Sequence, residues 1–266
     1  MADTAATQAG MRYAISVRNL RVGFGAQVLL ENASFDVRRG EIVVIVGGSG
    51  SGKSSLMKTI CGLHAPLAGD VLIEGESMVH ASSEVRAGLQ RRLGVMYQGG
   101  ALFGSLTVLE NVRFPLDRLT RLTLEQKNLT VRMLLRELEM EHAESSMPAE
   151  LSGGMIKRAG IARAMALGGG ILLLDEPSAG LDPVTAANLD RTILALRRNL
   201  GATVVIVSHE LQSIFAIADR AIMLDPITRA IIADDKPDIL KNSSRDPRVQ
   251  QFFNRQPDAL RTERRG

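Results

Sequence analysis

From Tyr13 the chain alternates, with Tyr13, Ile15 and Val17 separated by Ala14, Ser16 and Arg18. A period of two marks a strand with one buried face. Further strand-like runs follow at residues 28–30 and 33–37, set apart by a short turn. At Ile42 the pattern becomes a continuous apolar run, Ile42-Val43-Val44-Ile45-Val46, which enters a glycine-rich turn. A helix is predicted next, with Leu56, Ile60 and Leu63 on one face. A strand apolar on both faces that feeds a helix is the start of an α/β unit with a buried parallel sheet. The same signal returns at residues 171–174 and 203–207.

Between these strands, residues 107–147 read mostly as helix. Val131, Leu134, Leu135 and Leu138 form an apolar stripe, while Arg132, Arg136 and Glu137 face elsewhere. The pattern predicts a parallel-sheet core interrupted by a helical insertion. After Pro237 the periodicity fades into Asn242-Ser243-Ser244-Arg245-Asp246-Pro247, a break before a C-terminal extension whose residues 246–253 are expected to pack on a partner copy or to fray. The expected organisation is a flexible lead-in over residues 1–10, a main domain over 11–240 with its helical insertion at about 99–152, and an extension over 241–266. No repeat occurs at solenoid spacing.

Composition narrows the function classes. Apolar residues at 45% and charged residues at 23% fit a globular protein and argue against disorder. The single cysteine, Cys61, excludes an intrachain disulfide framework and a cysteine-based zinc site, and its apolar surroundings make it a core residue. The net charge is +3, and part of it sits in the last twelve residues, where Arg255, Arg261, Arg264 and Arg265 outweigh Asp258 and Glu263. No aromatic residue is interleaved there, so no nucleic-acid platform is expected. No apolar run approaches the roughly 18 to 20 residues that span a bilayer. Nor does the N-terminus carry a secretory pattern. A cytoplasmic chain is expected, with any membrane function exercised through a partner.

The strongest chemical signal is Gly47-Gly48-Ser49-Gly50-Ser51-Gly52-Lys53-Ser54. It fits the phosphate-cradling pattern G-x-x-x-x-G-K-[ST] and lies between a buried strand and a helix, where the chemistry requires it. Glycines let backbone N–H groups approach phosphate oxygens, and the helix start adds a favourable field. Lys53 is expected on the β- and γ-phosphates and the Ser54 hydroxyl on Mg²⁺.

The run Ile171-Leu172-Leu173-Leu174 ends in Asp175 and Glu176, which puts two carboxylates at the C-terminal edge of the sheet. Asp175 is expected to hold Mg²⁺ through water, and Glu176 to polarise the water that attacks the γ-phosphate. His209 follows the strand at 203–207, and Gln98 follows the apolar segment 93–97, so both reach the same edge. Alone, each reads as an ordinary structural residue.

A second anion site is predicted at Leu151-Ser152-Gly153-Gly154-Met155, where Ser152 is a natural helix N-cap and two glycines leave N–H groups open. One nucleotide hardly needs two such loops from one chain. Two copies arranged head to tail would sandwich two nucleotides, each between Lys53 of one copy and Ser152 of the other.

Together these residues resemble the nucleotide-binding domain of ABC transporters over about residues 13–240. The loop ending in Lys53-Ser54, continued by Ser55, is similar to that family's Walker A motif, and residues 171–176 to its Walker B. Leu151-Ser152-Gly153-Gly154-Met155 resembles the signature motif, Gln98 the Q-loop, Ser178-Ala179-Gly180-Leu181-Asp182 the D-loop and His209 the H-loop. Phe24 stands where an aromatic ring stacks on adenine. The resemblance implies a P-loop NTPase fold of the ABC ATPase type, with a parallel-sheet core, an antiparallel β subdomain and a helical subdomain. It also implies ATP and Mg²⁺ as cofactors, with Mg²⁺ held by Ser54, Gln98 and Asp175, and catalysis by Glu176, His209 and Gln98. The family's signature usually ends in Gln, where this chain has Met155.

That departure, the segment Gln98-Gly99-Gly100-Ala101-Leu102-Phe103 and the late Asp246-Pro247-Arg248-Val249-Gln250-Gln251-Phe252 are similar to ATPases of Mla-type, MCE-linked phospholipid transport systems. This resemblance implies a dimer on a pair of integral-membrane permeases at the cytoplasmic face of a bacterial inner membrane. An MCE-domain lipid-binding protein would be a further partner, as would, in some members, a small STAS-domain subunit; nucleic acid would not. The competing readings are the ATPase of a small-solute importer and a soluble, non-transport ABC ATPase.

Overall fold

A computed structural model describes residues 12–256. The flexible lead-in expected over residues 1–10 and the tail charges of Asp258, Arg261, Glu263, Arg264 and Arg265 lie outside the described residues. Two sheets organise the chain. In the first, β1 (Tyr13–Phe24) pairs antiparallel with β2 (Gln27–Arg38) on one side and β4 (Ala68–Ile73) on the other, and β5 (Glu76–Ser77) extends it to the order β2-β1-β4-β5.

The second sheet contains β3 (Ile42–Gly47), β6 (Leu93–Met96), β7 (Ile171–Asp175), β8 (Thr203–Val207), β9 (Arg220–Asp225) and β10 (Ala230–Asp235). Its order is β10-β9-β3-β8-β7-β6, parallel throughout except for β10, which runs antiparallel to β9. Period-two packing divides the core in two. Val44, Val46, Leu172, Leu174, Val204 and Ile206 face one hydrophobic cluster, while Val43, Ile45, Leu173 and Val205 face another that includes the antiparallel sheet.

The helices are α1 (Lys53–Ile60), α2 (Ser83–Arg91), α3 (Val108–Leu119), α4 (Leu124–Glu137), α5 (Gly153–Met165), α6 (Pro183–Leu200), α7 (Leu211–Ile217), α8 (Pro237–Ser243) and α9 (Pro247–Phe253). In the insertion, α3 and α4 each begin with a capping box, Thr107 with Glu110 and Thr123 with Gln126. The predicted stripe on α4 is sound: Val131, Leu135 and Leu138 are buried, and Leu134 packs partly covered beside them.

Three local expectations are corrected. The runs at 28–30 and 33–37 are one strand, β2, because the residue between them, Asn32, forms a bulge with φ 47° rather than a turn. Asn19 does the same in β1 with φ 46°, next to the Leu20–Ala33 pair, and asparagine is among the residues that tolerate this backbone best. The start of β1 is not half-wet, since Ala14, Ile15, Ser16 and Val17 are all buried; the Ser16 hydroxyl is satisfied by donating to Asp36 at 2.6 Å. Leu63 does not share the α1 face. The helix stops before Gly62, which has φ 72°, and Leu63 is 59% exposed beyond it.

The segment at 246–253 packs on its own chain. Val249 and Phe253 of α9 are buried in the helix-side core, and Arg248 bridges Asp246 at 2.6 Å and the buried Asp225 at 2.7 Å. Among the described residues, no helix is long and apolar enough to cross a membrane.

Candidate nucleotide site

The C-terminal edge of the parallel sheet gathers the candidate residues. β3 ends at Gly47, whose φ of 145° and contacts admit no side chain, since a Cβ there would stand 2.3 Å from the Leu224 carbonyl oxygen. The loop then turns through the exposed Gly48, Ser49 and Gly50 and the buried Ser51 to Gly52, the left-handed N-cap of α1. No side chain caps α1 and no acidic residue lies in its first turn, so its open N–H groups offer an anion site. Lys53 folds back over the loop, its Nζ donating to the Gly47 carbonyl at 2.8 Å and the Gly48 carbonyl at 2.9 Å. Burial pulls the Lys53 ammonium below its ordinary pKa, and the charges of Glu176 and Asp175 oppose that shift. Ser54 is exposed on the first turn, and Ser55 follows it, half-buried.

Asp175 closes β7 beside Val207 of β8. Burial pushes its carboxyl up and Glu176 adds to the effect, while the Ser54 hydroxyl, Lys58 and Lys53 work against it. Glu176 continues the ladder by donating its N–H to the Val207 carbonyl at 2.8 Å, but it turns into the left-handed region with φ 49°. Its Oε1 lies 2.8 Å from Nδ1 of His209, and its Oε2 is buried without a hydrogen-bond partner. A buried, unpartnered carboxylate oxygen is costly, and a hydrogen-bond donor placed here would satisfy it. Gln98 is exposed just past β6, and because Met96 pairs with Leu174 it falls at the edge beside Asp175 and Glu176. Phe24, 49% exposed at the end of β1, holds its ring edge-to-face with His64 at 5.0 Å, leaving surface open for stacking.

The second loop expected to hold an anion opens α5. Leu151 is half-buried, Ser152 and Gly153 are exposed, and the Ser152 hydroxyl caps α5 by accepting from the Met155 N–H at 3.4 Å. Gly154 is buried, and a Cβ on it would stand 2.6 Å from the Thr185 methyl group. Met155 packs partly buried against the helix-side core, which an apolar thioether suits better than an amide. The stretch Ser178-Ala179-Gly180-Leu181-Asp182 runs alongside, with Leu181 against Gly153 and the Asp182 carboxylate capping α6 through Val184 and Thr185. Those bonds, led by the Thr185 hydroxyl, hold the Asp182 carboxyl below its ordinary range.

Sequence reasoning passed over three residues. Lys157 is 5% exposed on α5, and its Nζ donates to the Glu176 carbonyl at 3.4 Å. Arg163 donates to the carbonyls of Gly100 and Ala101 at 2.9 and 2.7 Å and covers the Phe103 ring. Asn111, fully buried, clamps the same segment through Phe103, Leu106 and Thr107. One signal was available: on the apolar faces of their helices, Asn111 lies one turn from Val108 and Lys157 one turn from Gly154 and Ile161.

A phosphate loop on a parallel sheet, paired carboxylates at the adjacent strand end and a separate capped glycine pair define an ATP-binding cassette. The family model described as ABC transporter matches residues 30–179, and the chain belongs to that family. Of its relatives, the intermembrane phospholipid transport system ATP-binding protein MlaF of Escherichia coli K12 is 37% identical over 239 residues, covering 90% of this chain and 88% of that one. The probable ribonucleotide transport ATP-binding protein mkl of Mycobacterium leprae is 35% identical, covering 92% of this chain and 70% of that one. Among solved structures, the ATP-binding cassette MJ0796, a dimer bound to ADP and Pi, superimposes with a TM-score of 0.74 at 29% identity over 84% of this chain and 98% of that one. The chain is accordingly an ATP-binding, ATP-hydrolysing subunit of an ABC transporter.

Proposed function

We propose that this chain powers phospholipid transport as the ATPase of an MCE-linked system, working as a dimer on a permease pair at the cytoplasmic face of a bacterial inner membrane. The observation that carries the lipid reading is the likeness to MlaF over nine-tenths of the chain, and Met155 at the end of the signature supports it. An MCE-domain lipid-binding protein is the expected further partner, with a small STAS-domain subunit as an optional one. The ATPase domain is assigned to 11–240, its helical arm to about 99–152 and the extension to 241–266.

At the site, backbone N–H groups of Gly48, Ser49, Gly50, Ser51 and Gly52 wrap the phosphates, Lys53 neutralises them, and Phe24 stacks on the base. Ser54, Gln98 and Asp175 offer oxygen donors alone, the set that suits Mg²⁺, which neutralises phosphate charge when bound. Glu176, oriented by His209, accepts a hydrogen bond from the attacking water. Ser152, Gly153 and Gly154 of the second copy meet the γ-phosphate from the opposite side, so the dimer closes on ATP and loosens after hydrolysis. Gln98 leads into the segment gripped by Arg163 and Asn111, a stiff route from the γ-phosphate to the permease-facing helical arm.

The mkl relative supplies a competing reading in which a ribonucleotide or other small solute is moved. Tagged Glu176→Gln protein, purified from its native membranes with ATP, decides between them. Recovery of a permease with an MCE-domain protein and bound phospholipid supports the proposal. Recovery of a solute permease with a small-molecule-binding protein overturns the lipid assignment and leaves the ATPase mechanism intact.

A further inference from the structure

Lys157 occupies an expensive position. Its side chain is buried on α5, where a charge is costly, and although the carboxylates of Glu176 and Asp175 offset that cost, its hydrogen bond goes to a main-chain carbonyl. That carbonyl belongs to Glu176, which sits at φ 49°, a backbone region uncommon for a residue other than glycine. Backbone held in such a conformation persists only where its surroundings impose it. The direction of the Glu176 side chain follows from that backbone turn, and so does the approach of Oε1 to His209. A donor on the Glu176 carbonyl therefore bears on where its carboxylate points.

The helix that supplies the donor has a second task. Ser152 caps α5 five residues before Lys157, and over that distance a helix rises about 7.5 Å as a stiff rod. Gly153 rests against Leu181 and Gly154 against Thr185, so the first turn of α5 is seated on the stretch that leads from Glu176 into α6. A shift of the Ser152 end carried along the helix would disturb the Lys157 contact.

We propose that Lys157 is a positioning residue that fixes the main chain of Glu176 and links the Ser152 end of α5 to it. The inference rests on the reading of Glu176 as the residue that orients the attacking water.

The test uses the full-length protein, with ATP turnover and the binding of a fluorescent ATP analogue measured in parallel on Lys157→Met, Lys157→Arg and Glu176→Gln. Lys157→Met is expected to lower kcat about 10- to 100-fold, the effect of losing one charged hydrogen bond at a reacting residue, with affinity for the analogue changed by less than about twofold. Lys157→Arg, which restores a buried cationic donor, is expected to return kcat to within about threefold of wild type. A wild-type kcat in Lys157→Met overturns the proposal. So does a loss of kcat matched by an equal loss of affinity and not rescued by arginine, which is the mark of a purely structural lysine. If Lys157→Met does not fold, Lys157→Gln carries the same test with the same two outcomes. Normal turnover in Glu176→Gln removes the premise, whereas normal turnover in Lys157→Met beside an inactive Glu176→Gln overturns the inference alone.

Discussion

His209 and Glu176, 33 residues apart in sequence, meet across the end of the parallel sheet with Nδ1 2.8 Å from Oε1. Each follows its own strand, β8 or β7, and the parallel pairing of those strands brings the two together. The contact leaves the other carboxylate oxygen of Glu176 buried and unpartnered. His209→Ala would leave both oxygens without this orientation. It is expected to lower ATP turnover about 10- to 100-fold while nucleotide binding persists, a split that steady-state kinetics and equilibrium binding measure together.

Gly47 is predicted to tolerate no side chain. A Cβ there would lie 2.3 Å from the Leu224 carbonyl oxygen and 2.8 Å from the Ser51 hydroxyl, at a φ of 145°. Gly47→Ala should therefore push the phosphate loop off β9, costing about 2–4 kcal/mol of stability. Thermal unfolding checks the cost, and an ATP-binding titration is expected to show affinity falling with it.

Asn111 accepts from the Phe103 N–H, and its two amide hydrogens are shared among the carbonyls of Phe103, Leu106 and Thr107. Asn111→Ala removes the acceptor of the Phe103 N–H and the side-chain donor to the Leu106 carbonyl, while the Phe103 and Thr107 carbonyls keep the N–H groups of Leu106 and Asn111, and it is expected to cost about 1–3 kcal/mol. Hydrogen exchange should speed up first at Phe103, because its N–H loses the Oδ1 acceptor. If the segment carries the signal to a permease, ATP turnover of the assembled complex should lose its dependence on transport before it loses its maximal rate.

The bonds from Arg248 hold the Asp246 carboxyl below its ordinary range. A carboxyl depressed in the folded state contributes stability that is present above its unfolded pKa of about 3.9 and is lost as pH falls through the folded value. Denaturant titrations from pH 5 downward should therefore show wild type losing stability more steeply than Asp246→Asn. Arg248→Ala narrows that difference, since the main-chain N–H of residue 248 still donates to the carboxylate. It should also destabilise the fold at neutral pH, because the buried Asp225 loses its cationic partner.

Much of the site was legible because its motifs are contiguous. Residues 47–54 state a strand end, a loop and a helix start in eight letters, and residues 171–176 state a buried strand and the two carboxylates at its end. Lys157, Arg163 and Asn111 were not, because a charged or amide residue on a helix acquires its meaning from what the fold sets against it. The Glu176 main chain is nineteen residues from Lys157, and the Gly100 carbonyl sixty-three from Arg163. Asn32 misled for a related reason, since an asparagine in an apolar stretch reads equally as a turn or as a bulge, and only pairing with β1 decides. Leu63 satisfied the helical period, but Gly62 had already ended the helix.

The central claim is that two copies close on ATP between Lys53 and Ser152, with Glu176 needed for hydrolysis and not for closure. The most direct measurement is sedimentation of the full-length Glu176→Gln protein with ATP and Mg²⁺, alone and combined with Ser152→Arg. An ATP-dependent dimer is expected, with turnover reduced about 100-fold or more, and it should be lost when Ser152→Arg is added. Normal turnover in Glu176→Gln, or an ATP-dependent dimer indifferent to Ser152→Arg, would contradict the claim.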